Sequence, residues 1–286
     1  MTTILDGKAT AAEIRTAVRS TVERDREKAG RAPCLAVILV GDNPASQTYV
    51  RNKEKACADA AIDTASYRLP STASQSEVEE LIAGLNANPA IDGILLQLPL
   101  PNGLDARPCI HAISPDKDVD GLTVVNQGKM VMGLPGLRPC TPAGILALLD
   151  RYGISVSCKK VAVLGRSELV GRSIAILMSS QERNATVTLC YSRTPDVAAV
   201  CRDSDIIVAA LGKPRFLTAD MVKPGAVIID VGINRSADGR LCGDVDYDSV
   251  APIASAITPV PGGIGPMTIS QLLVNTEQAW RKTFFG

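Results

Sequence analysis

The chain has almost no histidine, with a single one, His111, in 286 residues. That excludes a metal centre built on several imidazoles and any Ser-His-Asp triad not using that one residue. Net charge is also missing, since 30 Lys and Arg balance 30 Asp and Glu and no basic run stands out. Nucleic-acid binders carry a concentrated positive footprint, so no nucleic-acid partner is expected. No apolar stretch approaches the length of a membrane span, and Met1-Thr2-Thr3-Ile4-Leu5-Asp6-Gly7-Lys8 lacks the charged-then-apolar pattern of a secretory leader. Cysteines are present at 34, 57, 109, 140, 158, 190, 201 and 242, but they form no CxxC pair and none adjoins the histidine. Cys34 and Cys190 fall in expected strands, where a reduced thiol is a small core group. The expectation is a soluble, metal-free, cytoplasmic protein that does not meet a membrane. What is plentiful is Ala, Val, Ile and Leu, in a chain 46% apolar and long enough for two domains.

The first half alternates strand and helix around one stretch. Cys34-Leu35-Ala36-Val37-Ile38-Leu39-Val40 is an unbroken apolar run, hence a buried strand, and Gly41-Asp42-Asn43-Pro44 turns it into a helix with Pro44 in the first turn. The Ala, Lys, Glu and Gln that follow to Ala61 favour helix. Tyr49 and Lys53, four apart, then project side by side. A phenol beside an amine past the carboxyl end of a buried strand is where open α/β sheets place ligands; the pair also fits a tyrosine lying on the stem of a surface lysine. Residues 9–30 form a preceding amphipathic helix closed by Gly30. Afterwards come a short strand at 65–69, a helix opened by the capping box Ser74-Gln75-Ser76-Glu77, and an apolar run from Ile91. Gln97 interrupts that run near its carboxyl end, where an amide must find a partner or line a cleft. Asp118 and Asp120 point opposite ways if extended, so one can serve a ligand while the other holds the loop; Asp120-Gly121 also fits an ordinary turn. Residues 122–140 show little periodicity and read as a connection.

The second half starts with a helix through Tyr152, with Thr141 as N-cap and Pro142 in the first position. The strand Lys160-Val161-Ala162-Val163-Leu164 runs straight into Gly165-Arg166-Ser167-Glu168-Leu169-Val170-Gly171 and another helix. This is the context of a dinucleotide fingerprint without the GxGxxG spacing. Gly165 lets backbone approach a phosphate, and Gly171 permits close helix–strand packing. The strand at 185–190 ends in Tyr191-Ser192-Arg193-Thr194, with no carboxylate for a bare ribose but one guanidinium. Arg193 with Arg166 suits a 2′-phosphate, which favours NADP over NAD. Strands at 205–210 and 226–232 follow, then a tight turn at Asp238-Gly239, a glycine- and proline-rich loop at 257–268, and a closing helix from Ile269. That helix is expected to pack back on the first half, and the 226–232 region to offer an apolar edge for self-association.

Seven motifs, in order, carry a resemblance: Ser46-Gln47-Thr48-Tyr49-Val50-Arg51-Asn52-Lys53, Gln97-Leu98-Pro99-Leu100-Pro101, Lys117-Asp118-Val119-Asp120-Gly121, Arg138-Pro139-Cys140-Thr141-Pro142, Gly165-Arg166-Ser167 with Val170-Gly171, Asp230-Val231-Gly232-Ile233-Asn234, and Pro259-Val260-Pro261-Gly262-Gly263-Ile264-Gly265-Pro266-Met267-Thr268. Over nearly its whole length the chain resembles the bifunctional methylenetetrahydrofolate dehydrogenase/methenyltetrahydrofolate cyclohydrolase (FolD-type) family. The resemblance implies an α/β protein of two domains. A catalytic, folate-binding domain would comprise 1–140 plus 268–286 and a Rossmann-like NADP-binding domain 141–267, with the active-site cleft between them.

It further implies oxidation of 5,10-methylenetetrahydrofolate with NADP+ and hydrolysis of the product at the same site, within one-carbon metabolism and purine biosynthesis. Lys53 is then the acid/base residue, with Tyr49 beside it against the folate and Gln97 bonded to the lysine. Asp120 holds the amino edge of the pterin, a pairing a carboxylate makes well. Leu98, Pro99, Pro261, Gly262 and Gly263 complete the folate side; Gly165, Arg166, Ser167, Gly171, Ser192, Arg193 and Ile233 form the NADP side. A cytoplasmic homodimer is implied as well. Ser173 stands where the family commonly has Pro, and Tyr191-Ser192 where it commonly has His-Ser, both on the cofactor side. A plain NADP-dependent dehydrogenase would explain the second half but leave Tyr49, Lys53, Gln97 and Asp120 unused. An idle dinucleotide-binding module would be marked by loss of Lys53, which is present.

Overall fold

The computed structural model describes residues 1–236 and 239–285 and divides the chain into two compact units. One comprises Ala12–Cys140 with Ile269–Gly286, the other Met1–Ala11 with Thr141–Thr268. The first eleven residues therefore group with the second half, where the sequence reading had put them with the first. The reason is β1 (Thr3–Ile4), which pairs in parallel with Ala256 and Ile257.

The unit containing Lys53 is built on a parallel sheet of β2 (Cys34–Val40), β3 (Asp63–Leu69) and β4 (Gly93–Leu96) in the order β3-β2-β4. An apolar run suits the middle strand because both its faces are covered. Leu35, Val37 and Leu39 pack with Val18 and Val22 of α1 (Gly7–Ala29), Val50 and Cys57 of α2 (Pro44–Asp59), and Leu272 and Leu273 of the closing helix. Ala36, Ile38 and Val40 turn the other way, onto Val78, Ile82 and Leu85 of α3 (Gln75–Ala87) and Cys109 of α4 (Ala106–Ala112). Strand alternation thus sorts one hydrophobic run into two cores. α3 starts with the expected capping box, in which Ser74 and Glu77 satisfy each other's backbone amides. The connection at 122–140 holds a helix the sequence reading missed, α5 (Val124–Val131), capped by Thr123.

α6 (Cys140–Arg151) begins before Thr141, so Thr141 is not its N-cap; the hydroxyl instead meets that of Thr268 at 2.9 Å. The second unit continues through β5 (Lys160–Leu164), α7 (Gly171–Met178), β6 (Thr186–Cys190), α8 (Val197–Asp203), β7 (Ile206–Ala209) and β8 (Val227–Asp230). The short pair β9 (Asn234–Arg235) and β10 (Leu241–Cys242) is antiparallel, as a hairpin requires, while Asp238 of the expected turn lies outside the described residues. After α9 (Tyr247–Val250) comes β11 (Ala256–Ile257), and α10 (Ile264–Phe285) starts five residues ahead of the expected Ile269, with Pro266 in its first turn. The large sheet is parallel throughout, in the order β1-β11-β8-β7-β5-β6. β8 lies between β11 and β7, so the 226–232 region is interior and offers no free edge. The chain leaves β5 toward β6 on one side and β7 on the other, which makes the β5/β7 boundary the topological switch point where such sheets bind ligands.

Candidate active site

In the first unit the site grows from the carboxyl ends of β2 and β4. Asn43 caps α2 by accepting from the backbone amides of Ala45 and Ser46, with Pro44 fixing the first turn. The helix so aimed carries Tyr49, which is 44% exposed, and Lys53, partly buried one turn on. Gln97 continues past β4 alongside β2, its amide donating to the Ile38 carbonyl. Its side chain is nearly buried and bonded at both ends of the amide. Oε1 accepts from Lys53 Nζ at 3.0 Å, and Nε2 donates to the Leu98 carbonyl at 2.6 Å. The second bond fixes which end of the amide faces the lysine, so the ammonium is held by an oriented dipole. Leu98 is partly buried and Pro99 exposed, joined by a cis peptide bond.

The two aspartates divide their duties. Asp118 is buried and accepts from the amides of Leu122 and Thr123 and from Asn126 Nδ2. Burial pushes its carboxyl up, against the pull of those donors. It holds the loop, and Asp120, only partly buried, is left for other partners. Lys117 supports the same loop by donating to the carbonyls of Leu85, Asn86 and Asn88, closing the end of α3. Gly121 adopts φ +71°, and a Cβ there would lie 2.4 Å from the Arg138 carbonyl carbon, so only glycine fits.

Two further residues were not singled out from sequence. Cys140 is buried within reach of Asp120 and Lys53; burial holds its thiol well above the ordinary value, and the Asp120 carboxylate adds to this. Its Sγ donates to the Val119 carbonyl. Asn275 of α10 donates to the carbonyls of Val119 and Arg138, tying the closing helix to the aspartate loop. The signal for Asn275 was an amide directly after the apolar run Leu272-Leu273-Val274.

The other expected residues lie in the second unit. Gly165 leaves β5 at φ +108°, where a Cβ would meet the Ala210 carbonyl oxygen at 2.1 Å; one on Gly171 would meet the Gly165 oxygen at 1.9 Å. At the start of α7 the Ser167 hydroxyl accepts from the amides of Val170 and Gly171 at 3.3 and 3.4 Å, and the Ser167 carbonyl from the Arg172 amide at 3.0 Å. Ser173 donates its hydroxyl to the Glu168 carbonyl at 2.6 Å. Arg166 stacks on the Tyr191 ring at 4.3 Å, and Ser167, Ser192 and Arg193 are exposed nearby in sequence. Ile233, after β8, is 54% exposed. Pro261, Gly262 and Gly263 also fall in this unit, not in the one carrying Lys53; Lys8 donates to the Gly262 carbonyl, and Gly263 packs against Gly7. Among the described residues no group of three or more His, Cys, Asp or Glu is arranged to hold a metal ion, and no helix is long and apolar enough to cross a membrane.

Residues 5–120 match the tetrahydrofolate dehydrogenase/cyclohydrolase catalytic domain, and residues 139–284 match the tetrahydrofolate dehydrogenase/cyclohydrolase NAD(P)-binding domain. The chain belongs to the tetrahydrofolate dehydrogenase/cyclohydrolase family. Within this family it is 59% identical over 281 residues to the bifunctional protein FolD of Oleidesulfovibrio alaskensis, covering 98% of each chain. The crystal structure of the bifunctional FolD from Campylobacter jejuni superposes with a TM-score of 0.96 at 43% identity, covering 99% of this chain and 100% of that one. The Trypanosoma brucei FolD, solved with NADP cofactor and inhibitor, superposes at 0.94 with 37% identity, covering 100% and 99%. The family's NAD(P)-binding match runs to residue 284, yet Leu272 and Leu273 pack in the core of the catalytic unit.

Proposed function

We propose that this chain oxidises 5,10-methylenetetrahydrofolate to 5,10-methenyltetrahydrofolate with NADP+ and hydrolyses that product to 10-formyltetrahydrofolate, using Lys53, Tyr49, Gln97 and Asp120. The observation that carries the reading is the oriented Lys53–Gln97 bond beside the exposed Tyr49. NADP+, when bound, supplies the acceptor for the hydride leaving the one-carbon bridge. What the residues contribute to that step is alignment. Tyr49 offers an aromatic face to the folate, and Asp120, freed by Asp118 from holding the loop, can accept from the pterin's amino edge.

Hydrolysis asks for proton movement. Water adds to the methenyl carbon and gives up both protons in becoming the formyl oxygen: one is released to solvent, and the other reaches the ring nitrogen as its bond to that carbon breaks. Lys53 Nζ, restrained by Gln97, is suited to hold the developing hydroxyl and to pass the proton on. The NADP side rests on Gly165, Ser167 and Gly171 around the start of α7, with Arg166, Ser192 and Arg193 for the 2′-phosphate and Ile233 beyond them. Leu98, Pro99, Pro261, Gly262 and Gly263 complete the folate side. A cytoplasmic homodimer belongs to the same reading.

Absorbance-monitored turnover of 5,10-methylenetetrahydrofolate with NADP+ and NAD+ in parallel tests it. NADPH formation with little lasting methenyl intermediate is expected. Equal efficiency with NAD+ overturns the coenzyme assignment, and no turnover with either overturns the reading as a whole.

A further inference from the structure

The second unit buries two carboxylates, on Asp230 and Asp244, that no part of the chemistry above uses. Among the described residues neither is in an ion pair; their charge is met by amides. Asp244 accepts from three consecutive backbone N–H groups, of Leu211, Gly212 (2.9 Å) and Lys213 (2.8 Å), and from Asn234 Nδ2 at 2.8 Å. Three amides converging on one anion form a backbone nest. Asp230 accepts from the amides of Gly232, Asp244 and Val245, at 2.9–3.0 Å, and so fixes Asp244 itself. Glycine makes the room: a Cβ on Gly232 would lie 2.4 Å from Asp244 Oδ1, and one on Gly243 1.7 Å from Asp230 Oδ2.

The two segments that Asp244 grips follow β7 and β8 at the carboxyl end of the sheet. Residues 210–213 border the switch point, since the Ala210 carbonyl faces Gly165 across it. They lie on the side away from β6, whose end carries Ser192 and Arg193 for the adenosine half. A dinucleotide lying across that crevice places its other nucleotide over the β7 and β8 ends. Resting on the NADP assignment above, we propose that Asp244 is a positioning residue for the nicotinamide half of the cofactor. Its carboxylate locks the loops after β7 and β8 together and, through Asn234, holds the neighbouring Ile233 outward.

Asp244→Asn is the test, because its amide offers one acceptor oxygen where the carboxylate offered two. Calorimetric titration of the full chain with NADP+ and with 2′,5′-ADP, which carries the adenosine half alone, reads the effect. Affinity for NADP+ is expected to fall about tenfold while that for 2′,5′-ADP stays within about twofold. In turnover, KM for NADP+ rises while kcat at saturating NADP+ is held within about threefold. If Asp244→Asn does not fold, Asn234→Ala, which keeps the three backbone bonds, decides; a smaller loss confined to NADP+ is expected. Equal weakening of both ligands, or no weakening of either, overturns the proposal. A parent chain that binds neither ligand overturns the NADP assignment itself, and the two failures are told apart by that arm.

Discussion

Gln97 gives up an apolar position at the end of a strand for an amide, and the structure repays the desolvation with two bonds, one to Lys53 and one to the Leu98 carbonyl. That trade was visible in sequence because an interruption of an apolar run is local. The split between Asp118 and Asp120 was half visible. Their alternation showed that one would hold the loop, but that Asp118 does so depends on Leu122, Thr123 and Asn126 folding back onto it. Cys140 was illegible as a site residue, because its nearness to Asp120 and Lys53 exists only once three separate segments are packed. At this scale the sharpest expectation concerns the amine. Lys53→Ala should lower hydrolysis of 5,10-methenyltetrahydrofolate about a hundredfold or more and hydride transfer by no more than about tenfold. Parallel assays of the two half-reactions decide, and unchanged hydrolysis removes Lys53 from the mechanism.

Elements were legible where their reasons are local. α3 carries its own start signal, and Ser74→Ala, which removes the bond from the Glu77 amide, should lower stability by about 1 kcal/mol, read as a drop in urea midpoint with turnover at saturating substrate preserved. α5 had the same kind of signal in Thr123, but its eight residues are too few for a periodic pattern to stand out. β1 and β11 have two residues each and no signal of their own; they are strands because β8 already presents open hydrogen-bonding groups. The early start of α10 was hidden by Gly265 and Pro266, residues that more often mark a loop but are tolerated in a first turn.

For the whole molecule, buried Asp230 makes stability depend on pH. Burial pushes the Asp230 carboxyl up from its ordinary 3.8 to about 6, with the Asp244 charge adding to the effect. The folded chain therefore keeps a proton there that the unfolded chain releases first. This favours the fold below about pH 4, and the advantage is lost as pH rises through about 6, a difference of about 3 kcal/mol. Urea midpoints of the parent and Asp230→Asn across this range should diverge, the variant having the flatter profile; parallel profiles would show that the group titrates alike in both states.

The division of the chain has another consequence, which concerns how the protein is made. The path passes from one unit to the other at residues 11/12, 140/141 and 268/269. A ribosome releases β1 first, yet its partner β11 emerges some 250 residues later, and the first unit's core waits for Leu272 and Leu273 from the last helix. The usual order, in which an N-terminal domain finishes folding while the next is still being translated, is closed to this chain. A gene fragment stopping at residue 140 leaves out the closing helix, and one starting at 141 leaves out β1, so neither unit can be inherited, exchanged or expressed alone without a splice that joins its two segments.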